Sequence, residues 1–102
     1  MADPQIACAL DAEALKARRE GLLARLVQRA SERHELADGI RLCFTADSGI
    51  LGDIAQVVNA ERLCCRFLRF TIAVQPEEGP ITLDLTGPPG TREFIGAMFD
   101  LP

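Results

Sequence analysis

The sequence predicts an α+β fold: a two-layer sandwich with helices packed on one face of a three-stranded, mostly antiparallel sheet. Three observations predict it. Apolar residues recur at helical spacing in some stretches and at a spacing of two in others. The stretches follow the order α-β-α-β-β-α. Each strand-like stretch pairs an apolar face with a face of small polar groups, as in a sheet covered on one side. At 102 residues the chain is expected to form a single domain spanning 1–102, with residues 1–8 as a flexible N-terminal segment.

The first helix is announced by Asp11, an N-cap residue type, with Glu13 in the first turn favouring the helix dipole. Leu15, Leu22, Leu26 and Ala30, joined by Leu23 and Val27, form its apolar stripe, and arginines and glutamates occupy the other face. Asp38-Gly39 is read as its stop, because glycine readily takes the left-handed conformation there. From Ile40 to Ala46 the period becomes two, with Ile40, Leu42 and Phe44 on one side and Arg41, Cys43 and Thr45 on the other. A second helix is predicted from Asp47-Ser48, with Ile50, Ile54, Val57, Val58 and Leu68 along its buried side. Strands follow at Arg69–Gln75 and Ile81–Thr86, joined by the loop Pro76-Glu77-Glu78-Gly79-Pro80. After Gly87-Pro88-Pro89-Gly90, Thr91 is expected to cap a last short helix that buries Phe94, Ile95, Met98 and Phe99.

Composition narrows the function classes. A net charge of −4 argues against nucleic acid as a partner, since phosphate binding needs a clustered cationic surface. No apolar run approaches the roughly 18 residues of a membrane span. The first residues lack the positive flank and apolar stretch of a signal peptide. A cytoplasmic protein is expected, in which the four cysteines are thiols and not disulfides. Four thiols in so short a chain point to thiol chemistry.

The constellation that could carry it is Glu61-x-x-Cys64-Cys65. On a helix, steps of three and four bring both thiols one turn from the carboxylate, on a patch continuous with Ile54, Val57 and Leu68. Arg62, Arg66 and Arg69 stand nearby in sequence, and guanidinium groups close to a thiol raise its thiolate fraction. Thiolates select soft or borderline cations such as Hg(II), Cu(I) and Zn(II). A closed zinc site with paired C-x-x-C spacing is absent, and so is any pattern for an organic cofactor. The bland readings stay beside this one: the pair as core packing, and Glu61 as a salt-bridged surface residue. Cys43, on the polar strand face, is read as incidental, Cys8 as either filler or ligand, and His34 as a solvated side chain at the end of the first helix. With a single histidine and no Ser-His-Asp set, the chain leans away from an enzyme.

Ile6-Ala7-Cys8-Ala9-Leu10, the block Glu61-Arg62-Leu63-Cys64-Cys65-Arg66-Phe67-Leu68-Arg69-Phe70-Thr71, and Leu83-x-Leu85-Thr86-Gly87-Pro88 together resemble a family of small bacterial proteins of poorly defined function. The E-x-x-C-C-x-F block is also similar to the cysteine-pair extension C-terminal to some MerR-type heavy-metal regulators. The resemblance implies a cytoplasmic soft-metal role with Cys64 and Cys65 as ligands and Cys8 matching an N-terminal cysteine. Many relatives carry proline or a small residue where this chain has Arg66, and no helix-turn-helix segment is present to carry over a regulator's DNA binding. The expectation is a metal-binding protein that uses Cys64, Cys65, Cys8 and Glu61, with a homodimer across the polar sheet face as a further option. The rivals are a thiol redox protein and a purely structural or dimerising module with cysteines as filler.

Overall fold

The structure is a computed structural model that describes residues 21–47 and 49–99; of Leu22, Cys64, Met98 and Phe99 it describes the backbone. The expected flexible segment 1–8, Cys8, Asp11 and the first part of the predicted helix lie outside the described residues. Within them the order is α1 (Leu22–Arg29), β1 (Glu32–Leu36), β2 (Gly39–Phe44), α2 (Ile50–Cys64), β3 (Arg69–Val74), β4 (Ile81–Thr86) and α3 (Thr91–Phe99).

The α+β class stands, but the sheet has four strands and not three. Its order is β1-β2-β4-β3, and every neighbouring pair is antiparallel. The extra strand replaces what was expected to be the end of the first helix. That helix stops at Arg29, and Glu32–Leu36 turns back on itself through Ala37-Asp38 to pair with β2. His34 is therefore a strand residue. Gly39 is likewise no helix stop. It is the first residue of β2, opposite Thr86, and a Cβ there would collide with the carbonyl oxygen of Leu85. Close approach of two backbones, not a left-handed conformation, requires glycine at this position.

The core forms where the two predicted alternations meet. Register pairs Ile40 with Leu85, Leu42 with Leu83 and Phe44 with Ile81, so all six side chains leave one face of the two central strands. Leu23, Leu26 and Val27 of α1, Ile50, Ile54 and Val57 of α2, and Ile95 of α3 close over them in one cluster. Leu68 lies beyond the end of α2 and packs half-buried against this cluster, so it does not belong to the helix stripe. At the edge, β3 is less covered than its alternation suggests: Ile72 is 37% and Val74 54% exposed. Helix α2 begins after Gly49, whose φ of 104° puts it in the left-handed region that favours glycine. Thr91 does not cap α3. It is the helix's first residue, fully buried, and its hydroxyl donates to the Pro88 carbonyl at 2.7 Å. Among the described residues no helix is long and apolar enough to cross a membrane.

Candidate functional site

Two groups of chemistry-bearing side chains lie on opposite sides of the fold. The first is at the C-terminal end of α2. The stripe of Ile50, Ile54 and Val57 carries on through the step of four to Glu61, which is why the acid turns inward. Glu61 is 3% exposed, so it is not the surface residue of the alternative reading. Cys65 closes the helix: its amide donates to the Glu61 carbonyl at 2.7 Å, and its sulfur lies 3.8 Å from Glu61 Oε2. At 1% exposure the thiol is sealed. The turn that follows is held by Phe67, buried edge-on against Phe94 with ring centroids 5.1 Å apart.

Of the four residues expected to act together, the structure brings Glu61 and Cys65 into contact. Cys8 and the side chain of Cys64 lie outside the described residues. The arginines expected to activate a thiol are exposed, and Arg62 donates from Nε to Asn59 Oδ1 at 3.2 Å, along the outer surface of the helix.

The second group lies on the outer, polar face of the sheet. Glu32 of β1 sits directly opposite Cys43 of β2, and His34, two residues along the strand, leaves the same face. One ligand atom from each of Glu32, His34 and Cys43 falls within 4.8 Å of the others, and His34 Nε2 is 3.4 Å from Glu32 Oε2. A cavity of about 350 Å³ opens beside them, lined by Glu32, Cys43, Glu78 and Thr82 among others. Burial pushes the half-buried Cys43 thiol above its ordinary pKa, and the Glu32 carboxylate adds to this while Arg41 opposes it. Arg41 is held by Asp84, to which its Nε and Nη2 donate at 2.8 and 2.9 Å. The guanidinium is itself stabilised in its charged form by that carboxylate.

Residue-by-residue reading of the sequence did not join these three. The signal was the period of two in Glu32-x-His34 before a two-residue turn, combined with Cys43 placed four positions past Gly39. It becomes visible only once the hairpin register is known. Compared with known proteins, the chain matches no family model, no curated protein and no solved structure.

Proposed function

We propose that this protein captures a thiophilic metal ion in the cytoplasm, of the class of Hg(II), Cu(I) or Zn(II). Cys64 and Cys65 serve as the ligands, Cys8 as a third, and Glu61 beside them. One observation carries the reading: the Glu61 carboxylate and the Cys65 thiol, one helical turn apart, are both turned inward and in contact, directly after Cys64, the last residue of the helix. Soft cations prefer such sulfur donors, and a carboxylate beside them offsets the charge of the ion. The resemblance of the E-x-x-C-C-x-F block to a heavy-metal regulator's extension supports the same chemistry. Because Cys65 is buried, capture on this reading requires local opening of the helix end, beside the exposed Arg62, Leu63 and Arg66.

Equilibrium dialysis against Hg(II) with excess glutathione tests the proposal, because the competing thiol strips ions from any single exposed cysteine. The wild type is expected to retain one equivalent more than Cys64→Ser/Cys65→Ser. Equal retention by the two proteins ends the idea.

The seal around Cys65 favours a second reading, in which the pair packs the helix end and the domain acts by docking or dimerising. Among the described residues every buried side-chain nitrogen or oxygen has a hydrogen-bond partner, as a finished core requires. A redox role draws less support, since a thiolate nucleophile works from a partly exposed site.

A further inference from the structure

We propose that Glu32, His34 and Cys43 form a second metal site, for a borderline divalent cation of the zinc class, on the outer face of the β1–β2 hairpin. This site shares no residue with the cysteine pair and stands whether or not that pair binds metal.

The donor set selects the ion. One imidazole nitrogen, one thiolate and one carboxylate suit zinc, which takes nitrogen, sulfur and oxygen together, whereas Cu(I) and Hg(II) favour sets rich in sulfur. The charges also match, since a carboxylate and a thiolate balance a dication. When the sulfur–metal bond forms, the Cys43 proton passes to solvent.

Geometry requires little movement. Bonds of about 2.0–2.3 Å in a tetrahedron set donors roughly 3.3–3.8 Å apart. Glu32 and His34 already meet that spacing at 3.4 Å, and all three donor atoms lie within 4.8 Å of one another. Both residues are exposed. The cross-strand register fixes the backbone under them, so the trio is pre-arranged by the sheet and not by a loop. Three protein ligands leave a fourth position, and the 350 Å³ cavity beside Glu32 and Cys43 gives that position room for water or a small ligand. The cation opposite His34 in the register, Arg41, is already paired with Asp84, which limits its repulsion of an incoming ion.

The chain has one histidine, so imidazole resonances report this site alone. Untagged, chelator-treated protein is titrated with zinc chloride while the His34 ring signals are followed by NMR. Cobalt(II) is used in parallel for its sulfur-to-metal charge-transfer band. Zinc is expected to shift the His34 ring at one equivalent. Cys43→Ser, read at the His34 ring, and His34→Ala, read by the cobalt charge-transfer band, should each weaken that equivalent by more than the roughly 10–100-fold that loss of a supporting outer-shell group costs. Cys65→Ala should leave the ring shift unchanged. A His34 ring that does not move with zinc overturns the proposal, as does wild-type zinc affinity in Cys43→Ser with its circular dichroism intact.

Discussion

Two thiols of this protein each sit beside a glutamate, and their surroundings differ in most other respects. Cys65 is sealed at the end of α2 with its sulfur against Glu61, which is buried as well. Cys43 lies half-buried in the outer face of the sheet, facing an exposed Glu32 and next to open space. The same pair of residue types is thus placed once in a low dielectric and once near water. In the first setting an ionised group is costly unless it is paired, so the pair is bound to the stability of the fold. In the second, side chains can move and exchange partners without disturbing the core. Placement, in the buried end of a helix or on the outer face of the sheet, and not residue identity, separates a structural demand from a chemical opportunity.

The sharpest way to break this comparison is to test the two faces themselves. Leu83 and Thr82 are neighbours on the central strand β4, one fully buried and the other facing outward beside Cys43. Leu83→Ala is expected to cost ~2–5 kcal/mol, since it removes methyl groups from a core that cannot fully collapse. Thr82→Ala should stay within ~0.5 kcal/mol, as is usual for substitutions away from packed features. Urea unfolding midpoints measure both. Similar losses at the two positions would mean that the outer face is packed against something, such as a second copy of the chain.

A smaller effect separates the thiols. In native, metal-free protein, iodoacetamide is expected to label Cys43 while Cys65 reacts only through opening of the helix end. Peptide mapping tells the two apart. The pKa of Cys43 is raised, so its thiolate fraction at neutral pH falls below that of a free thiol, and labelling accelerates as pH rises through and beyond the ordinary thiol range. Glu32→Gln removes one cause of that rise and should speed labelling at neutral pH, leaving burial as the main remaining cause. Labelling of Cys65 ahead of Cys43 would reverse the assignment of sealed and open sites.

Much of this was readable before any coordinates. Ile40, Leu42 and Phe44, and Ile81, Leu83 and Leu85, announced both central strands because their alternation matches burial on one face. The stripe through Ile54, Val57 and Leu68 was expected to carry Glu61, Cys64 and Cys65: Glu61 and Cys65 do turn inward with Ile54 and Val57, Leu68 lies beyond the helix, and the side chain of Cys64 is outside the described residues. Strand β1 was not readable, because Glu32–Leu36 has no apolar alternation. Its first four residues are exposed, and pairing with β2 alone makes it a strand. Its charged residues continue the polar face of the preceding helix, and the local pattern therefore favours the wrong element. Gly39 deepened the error, since one residue type serves both helix stops and close strand crossings. The Glu32–His34–Cys43 trio shared that fate. Its members are brought together by register, and register is a tertiary property.

The smallest expected effect concerns the ion pair that frames the outer face. Arg41 grips Asp84 with two hydrogen bonds across β2 and β4, and both belong to the polar side of the sheet. Arg41 is well exposed, so solvent and salt screen the pair. Its main role on this reading is to tie up the one cation opposite His34, not to hold the strands together. Asp84→Asn should therefore leave the unfolding midpoint nearly unchanged, with any difference vanishing at high salt. The same substitution frees the charge of Arg41 beside Cys43, which favours the thiolate. Iodoacetamide labelling of Cys43 should accelerate modestly, and less at high salt than at low. A large stability loss with unchanged Cys43 reactivity would show the reverse: that the pair staples the sheet, and that its field does not reach the thiol.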